Sequence, residues 1–409
     1  MRLIVLAAVV SLLATPLFAA PRLVARPPAE AKETPAVAGA NHFALALYQH
    51  LRTDAGNVFY SPMSLSTALA MTSLGARGET AGQMYALLGF KLDDKDPMHA
   101  GYADLLKAFN ADAKDRGYQL SVANALWGQR GFGFMPQFLA DAKKHYGAGL
   151  EELDFATATE AARRTINDWV EKQTNEKIKD LIKQGMLAPD TRLVLTNAIY
   201  FKGNWASQFK KDRTKDEPFF LSAGKKIDVP MMNQTGNFKY AANGAMRAVE
   251  LPYAKEELAM VLIAPEKVDG LAEFEKTLDA KALATIITSM RKRDDVRVAI
   301  PKFKMTCEFD LGSVLSAMGM GLAFSDKADF SGMATREQLF ISKVVHKAFV
   351  DVNEEGTEAA GATAILMRPT AVMLEPPVFR ADRPFVFVIR DLKSGAILFA
   401  GRVADPTKG

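Results

Sequence analysis

The side chains that most often carry out catalysis or bind metals are few in this chain and are widely separated. His42 and His50 fall on one predicted helix, but they lie more than two helical turns apart and cannot share a metal ion. The remaining histidines belong to different predicted elements. The sequence has no glycine-rich phosphate-binding pattern and no Gly-x-Ser-x-Gly turn. It therefore predicts a protein that uses no metal ion and no other cofactor.

One group of short patterns has the order found in penicillin-binding enzymes. Ser289 to Lys292 fits Ser-x-x-Lys, and it is followed by Ser325-Asp326-Lys327 and then by Lys393-Ser394-Gly395. In that enzyme class the first serine is the nucleophile. Here the serine comes late in the chain, and the second and third patterns are imperfect. Because such short patterns often arise by chance, the sequence favours a protein that is not an enzyme.

The segment from Glu354 to Ala364 consists mainly of alanine, glycine and threonine, and it follows a strand-like run from Ile341 to Val352. Composition alone favours a flexible linker. In an extended chain, however, successive side chains point to opposite faces. One face would be small and uncharged, which is typical of a loop that is exposed in one state and a buried strand in another. That face comprises Thr357, Ala359, Gly361 and Thr363, and the other comprises Glu358, Ala360, Ala362 and Ala364.

The composition is that of a soluble globular protein, with 49% hydrophobic and 24% charged residues. The net charge is +4, and basic residues are interleaved with acidic ones, which argues against a nucleic-acid partner. Cys307 is the only cysteine, so the chain has no internal disulfide. We expect Cys307 to be a packed structural thiol rather than a nucleophile.

The N-terminus has the pattern of an export signal. Residues 1–19 combine a basic residue with an apolar run that is too short to span a membrane. Residues 20–40 are rich in proline, and we predict that they form a disordered N-terminus of the mature protein. No internal linker is evident, so residues 41–406 are predicted to form a single domain. We therefore expect a monomer that is secreted or periplasmic and has no membrane span.

The rest of the chain alternates helical and strand patterns, which predicts an α+β fold. Residues 41–51 place apolar side chains on one helical face, and Ser61-Pro62 is a typical helix start with serine as the cap. Residues 193–201 are almost entirely apolar, as expected of a strand buried on both faces. Residues 383–389 and 396–403 flank a glycine-containing turn and predict a terminal hairpin.

Several motifs are moderately specific alone and very specific in combination. They are residues 57–64, continuing at 74–80; 195–205; 324–331; 346–348; and 354–364 followed by 382–385. Together they resemble the serpin family, and the resemblance extends over residues 40–406. It implies a fold of three β-sheets and about eight or nine helices, with an exposed reactive-centre loop. It also accounts for Ser325-Asp326-Lys327, which removes most of the support for a penicillin-binding enzyme.

The resemblance implies an inhibitor that traps serine proteases, and some cysteine proteases, in one turnover. The protease cuts the loop and forms an acyl-enzyme, and the freed segment then enters the main sheet as an added strand. Non-inhibitory relatives tend to have bulky or charged hinge residues, whereas residues 359–364 contain none. The alternative is a non-inhibitory serpin-fold binding or chaperone-like protein. The implied hinge comprises Glu354, Gly356, Thr357, Glu358, Ala359, Ala360, Gly361, Ala362 and Thr363.

The resemblance also implies which residues control the opening of the main sheet. One group matches a hydrogen-bonded network beneath the central strands, and a tryptophan matches the residue at the top of the sheet, where insertion begins. Glu354 is expected to pair with Lys302 at the same place. No glycosaminoglycan site is implied, because acidic residues interrupt the basic ones near Lys107. The network residues are Ser61, Ser64, Asn197 and His346, and the tryptophan is Trp205.

The reactive bond can be located by counting from the hinge. In the family it usually lies fourteen residues after the hinge glycine, and Gly356 then places it between Thr370 and Ala371. Arg368 would suit a trypsin-like enzyme, but Pro369 follows it, and such enzymes rarely cut before proline. A small β-branched residue suits a shallow pocket, so elastase-like or subtilisin-like proteases are the expected partners. Other residues considered for the bond are Met367, Val372 and Met373.

A protease trapped by this chain should release a C-terminal peptide that begins at Ala371, which mass spectrometry identifies directly. Thr370→Arg should shift the preference toward trypsin-like enzymes, because their acidic pocket pairs with the added guanidinium group. A peptide beginning at Val372 or Leu374 would move the bond. A peptide beginning at Pro369 would restore Arg368 and contradict the elastase-like prediction.

Overall fold

The computed structural model describes residues 33–110, 117–147, 149–334, 339–357 and 375–409. These residues form nine α-helices and fifteen β-strands, so the predicted α+β class is confirmed. The helices are α1 (Pro35–Leu51), α2 (Pro62–Ser73), α3 (Gly78–Leu87), α4 (Lys95–Asn110), α5 (Pro136–Tyr146), α6 (Phe155–Gln173), α7 (Leu271–Lys276), α8 (Ala280–Ser289) and α9 (Gly312–Leu315).

The first helix begins earlier than the sequence predicts. Disorder is expected up to residue 40, whereas α1 starts at Pro35. The side-chain oxygen of Thr34 accepts a hydrogen bond from the Val37 amide at 3.3 Å and caps the helix, and proline is favoured at the first helical position. Ala36 and Val37 are buried in the hydrophobic core. The prediction is therefore corrected for residues 35–40, because their small apolar side chains pack against the domain.

The predicted start of the second helix is confirmed. The side-chain oxygen of Ser61 accepts a hydrogen bond from the Ser64 amide at 3.2 Å, and Pro62 is the first helical residue. Every residue of α2 is buried. The helix contacts strands of both sheets described below, so it fixes them relative to one another.

Six strands form the first sheet, in the order β10–β11–β12–β4–β2–β3. Residues Val194–Tyr200 of β4 pair in parallel with Lys343–Phe349 of β11. We call this line of direct pairing the seam. Above the seam, the short strand β12 lies between β4 and β11 and is antiparallel to both. The strands are β2 (Tyr118–Gln129), β3 (Leu150–Leu153), β4 (Leu193–Asn204), β10 (Phe303–Asp310), β11 (Lys343–Asn353) and β12 (Gly356–Thr357).

The other nine strands form a second sheet, in the order β1–β15–β14–β8–β7–β6–β9–β13, with β5 paired to β6. Strand β6 is 18 residues long and pairs with β5 along its first part and with β7 along its last part. It therefore joins two groups of strands, and a register shift between Gly236 and Phe238 marks the change. The strands are β1 (Val58–Tyr60), β5 (Lys215–Ser222), β6 (Lys225–Ala242), β7 (Met246–Pro252), β8 (Leu258–Pro265), β9 (Arg291–Pro301), β13 (Val378–Arg380), β14 (Phe385–Asp391) and β15 (Ile397–Val403).

Two hydrophobic clusters stabilise this arrangement. The larger one fills the space between the sheets and the helices. The smaller one lies where α6 and the following segment, residues 174–192, pack on the first sheet. Cys307 is partly buried on β10, and burial raises its pKa to about 11, which disfavours the reactive thiolate as expected of a structural cysteine.

A buried ion pair joins α1, α7 and β15. Arg402 Nη1 lies 3.2 Å from Glu275 Oε1, and the two side chains are only 7% and 4% exposed. The Tyr48 hydroxyl donates to the same carboxylate oxygen at 2.5 Å. The remaining guanidinium hydrogen bonds go to backbone carbonyls of residues 52–56. The charge of Arg402 is thus compensated, and each of its three guanidinium nitrogens donates a hydrogen bond.

Glu275→Leu should lower the free energy of unfolding by about 3–5 kcal/mol, because it leaves the guanidinium group buried without a carboxylate. Glu273→Leu, on the same helix, is a matched control. Glu273 pairs with Lys276 but is 77% exposed, so its loss should leave stability almost unchanged. Denaturant-induced unfolding measures both variants. Equal losses would show that the buried pair has no special role.

Candidate functional site

The predicted hinge enters the first sheet at the top of the seam. After β11 ends at Asn353, the chain turns, and Thr357 pairs with Val352 on β11 and with Gly203 on β4. Two residues of the hinge are therefore already a central strand. Directly below them, Phe349 and Tyr200 begin the seam, where no strand separates β11 from β4.

Gly356 is required by the backbone at this point. Its φ of +149° lies in a region that L-residues rarely adopt. A Cβ atom at this position would lie 2.1 Å from the Gly203 carbonyl oxygen and 2.5 Å from the Asn204 Cα. Both neighbours are backbone atoms of β4 and cannot move aside easily. Any larger residue would therefore push the hinge out of the sheet.

Ionic and polar contacts fix the residues just before this glycine. Glu354 Oε2 lies 3.0 Å from Lys302 Nζ, the contact expected from the sequence, and Glu354 Oε1 accepts a hydrogen bond from Thr214 at 2.8 Å. Burial would raise the pKa of Glu354, but the hydrogen bonds from Lys302 and Thr214 outweigh it, and the net shift is downward. Glu355 pairs with Lys211 at 2.6 Å. The hinge is thus held by charged partners on two sides.

Trp205 lies at the top of the sheet, as the resemblance implies. Its side chain is 3% exposed and stacks on Tyr253 with ring centroids 4.7 Å apart. The indole nitrogen donates to the Asn353 carbonyl at 3.0 Å, and the backbone amide donates to the Glu355 carbonyl at 3.0 Å. Trp205 therefore contacts the chain where β11 turns into the hinge.

The structure brings the four predicted network residues together beneath the seam. His346 Nδ1 donates to Asn197 Oδ1 at 2.5 Å, and His346 Nε2 accepts a hydrogen bond from the Ser61 amide at 3.0 Å. These two contacts define one tautomer of a neutral imidazole. The side chain is fully buried, and burial lowers the pKa of His346 to about 3. Because His346 and Asn197 lie on β11 and β4, their hydrogen bond crosses the seam.

The network has a fifth member, Asn124 on β2, which the sequence does not predict. Its Oδ1 atom accepts hydrogen bonds from Asn197 Nδ2 at 2.5 Å and from Ser64 Oγ at 2.9 Å. Asn197 Nδ2 also donates to Ser64 Oγ at 2.7 Å. Asn124 and Asn197 are directly opposite in the pairing of β2 with β4. A polar residue inside the apolar run 120–126 was the available signal.

The rest of the predicted hinge and the reactive bond lie outside the described residues. The structure describes the chain up to Thr357 and again from residue 375, just before β13. Strand β13 pairs with β9 in the second sheet. The two ends of the predicted loop are therefore attached to different sheets. The positions concerned are Glu358, Ala359, Ala360, Gly361, Ala362, Thr363, Thr370 and Ala371.

A family model described as Serpin (serine protease inhibitor) matches residues 38–406. The chain belongs to the serpin family. A serpin-like protein of Thermococcus kodakarensis, described as uncharacterised, is 43% identical over 382 residues, covering 93% of this chain and 88% of that protein. The leukocyte elastase inhibitor of Homo sapiens is 44% identical over 378 residues, covering 89% of this chain and 97% of that protein.

The serpin fold is also found by comparison with solved structures. The structure of uncleaved ovalbumin matches with a TM-score of 0.81 and 32% identity, covering 91% of this chain and 100% of that chain. The predicted serpin fold is thereby confirmed. The described strands form two sheets rather than the three expected, because the long strand β6 joins two groups of strands into one sheet. Among the residues described here, no helix is long and apolar enough to cross a membrane. The same residues contain no group of three or more histidine, cysteine or acidic side chains that could hold a metal ion.

The neutral state of His346 predicts how stability depends on pH. Its folded-state pKa of about 3 lies below the ordinary value of 6.5, so its contribution is complete above pH 6.5 and is lost as the pH falls toward 3. At pH 4.5 the loss should be roughly 3 kcal/mol. His346→Gln should be less stable than the parent at pH 8 but should lose less stability between pH 8 and pH 4.5. The free energy of unfolding of both proteins is measured at each pH. If it fell equally for the two proteins between pH 8 and pH 4.5, the assignment would be contradicted.

Proposed function

We propose that this serpin inhibits serine endopeptidases, and cysteine endopeptidases as a secondary class, by inserting its cleaved loop into the first sheet. The observation that carries the proposal is the position of β12. This short strand lies between β4 and β11 and is antiparallel to both. If it were extended, it would run between the two strands that now pair directly at the seam. The hinge is thus aligned with the place where the remaining residues would be added.

Insertion is favoured by the pairing that it creates. The seam consists of seven residue pairs in one parallel ladder. An inserted strand would replace it with two antiparallel ladders, and antiparallel pairing is slightly more stable per residue. The small residues at 359–364 add little bulk between the strands. The native state with a closed seam is therefore the less stable arrangement once the loop has been cut.

Cleavage is needed because both ends of the loop are attached. Thr357 pairs within the first sheet, whereas Val378 pairs within the second. After a cut between Thr370 and Ala371, the fourteen residues from Thr357 to Thr370 could form one strand of about 45 Å. A protease bound covalently at Thr370 would be carried along the length of the sheet. The inhibitor needs no catalytic residue of its own for this step.

The target class is inferred from Thr370 and from the relatives. A leukocyte elastase inhibitor is among the similar proteins, and a small β-branched residue at the reactive bond suits an elastase-like or subtilisin-like pocket. The pattern of residues 1–19 supports export, so the proposed location is secreted or periplasmic, and the proposed state is a monomer. The alternative is a serpin-fold binding or chaperone-like protein that proteases only cleave.

Incubation with elastase-like, subtilisin-like and trypsin-like enzymes tests the proposal. Inhibition by trapping predicts a covalent complex that survives denaturation in detergent. Thr357→Arg should abolish the complex while cleavage continues, because it places a charge on the face expected to be buried. Glu358→Arg is the matched control, since its side chain belongs to the opposite face. Cleavage of the parent without any complex would favour the binding-protein alternative.

Cleavage should also change stability. If the freed segment completes the sheet, the protein cut near Thr370 should melt at a much higher temperature than the intact protein. Differential scanning calorimetry of both forms measures the difference. Equal melting temperatures would contradict the insertion mechanism and leave the family assignment intact.

A further inference from the structure

Residues 174–192, the segment between α6 and β4, contact strands on both sides of the seam. On the β4 side, the segment continues covalently into Leu193, and Lys177 Nζ lies 5.9 Å above the ring of Tyr200. On the β11 side, Lys347 Nζ donates to the Lys179 carbonyl at 2.8 Å. The segment therefore bridges the two strands that must separate.

Glu308 on β10 strengthens the attachment on the β11 side. Its Oε1 atom lies 2.9 Å from Lys183 Nζ, and its Oε2 atom lies 3.3 Å from Lys347 Nζ. Glu308 and Lys347 are directly opposite in the pairing of β10 with β11. Lys347 is 14% exposed and Glu308 is 22% exposed, so solvent screens their interaction less than that of a fully exposed pair. We call these three residues the Glu308 clasp.

The segment itself is firmly attached to α6. The side chain of Asn167 bonds both the amide and the carbonyl of Ile182, at 2.8 and 2.9 Å. Helix α6 in turn packs on the β2 side of the sheet, where Trp169 lies edge-on to Trp127 with ring centroids 5.4 Å apart. The segment is thus held with β2 and β4, and the Glu308 clasp ties it to β10 and β11.

Insertion of a strand is incompatible with all of these contacts at once. Adding one strand widens the distance between β4 and β11 by about 4.8 Å. The ion pair of Lys183 with Glu308 at 2.9 Å and the hydrogen bond from Lys347 to the Lys179 carbonyl at 2.8 Å cannot both remain while the segment stays fixed to β4. The Glu308 clasp is the part that can separate with least loss, because Lys183 is 64% exposed and water can replace its partner.

We infer that release of the Glu308 clasp controls how fast the first sheet admits the cleaved loop, an inference that rests on the proposed function. Insertion competes with hydrolysis of the acyl-enzyme. In hydrolysis, water breaks the ester between the Thr370 carbonyl and the protease serine, leaving a carboxylate on Thr370 and a free serine hydroxyl. A weaker clasp should therefore raise the fraction of protease that is trapped and should loosen the intact seam.

Glu308→Gln and Lys183→Met test the inference, and Asp310→Asn is the matched control. Asp310 pairs with Lys343 at 2.8 Å and joins the same two strands, β10 and β11, without contacting the segment. Glu308→Gln should accelerate formation of the detergent-stable complex by about 3- to 10-fold. Lys183→Met should change the rate in the same direction. Because Lys183 is largely exposed, this variant should fold normally. Asp310→Asn should match the parent.

Hydrogen exchange without protease gives a second measurement. Amides of residues 194–200 and 343–349 should exchange faster in Glu308→Gln than in the parent or in Asp310→Asn. Unchanged exchange in Glu308→Gln and Lys183→Met, or equal acceleration in Asp310→Asn, would overturn the inference. If the parent forms no complex with any protease, the proposed function fails, whereas the exchange measurement still decides whether the clasp holds the seam.

Discussion

The structure depends on one feature, the direct parallel pairing of β4 with β11 below an antiparallel strand that has only begun. Parallel strands normally need a covering layer on the sheet, and here α6 and residues 174–192 supply it. The pairing is complete enough to give a stable protein. At its top, β12 shows that a strand fits between β4 and β11, and the proposed mechanism extends that strand along the seam. In the proposed mechanism, the same pair of strands therefore determines both the stability of the intact protein and its conformational change.

Two groups of contacts hold β4 and β11 together, one at the top of the seam and one beneath it. At the top, the ion pairs of Glu354 and Glu355 and the stacking of Trp205 hold the start of the hinge between β4 and β11. Beneath the strands, the hydrogen bond between His346 and Asn197 crosses the seam and continues into α2 and β2. Each contact is local and individually modest. Because all of them cross or border the seam, the proposed mechanism implies that they act on one equilibrium between a closed and an expanded sheet.

The sequence predicted the parts of this arrangement that depend on local chemistry. Ser61-Pro62 starts a helix, residues 193–201 form a strand buried on both faces, and the terminal hairpin is present. Asn124 could not be assigned, because its role depends on its pairing with Asn197, far away in the chain. The true start of α1 at Pro35 has no local signal for the same reason: residues 35–40 have the composition of a linker, and only their packing against distant parts of the chain makes them helical. The contacts of Glu308 join three segments and carry no local signal.

A structure of the chain after cleavage between Thr370 and Ala371 would test the central claim most directly. The account predicts that residues 358–370 continue β12 as one strand, hydrogen bonded on one side to Val194–Tyr200 and on the other to Lys343–Phe349. The direct pairing of these two stretches, present in the intact chain, would then be gone. A cleaved chain in which β4 and β11 still pair directly, with the freed segment outside the sheet, would contradict the account.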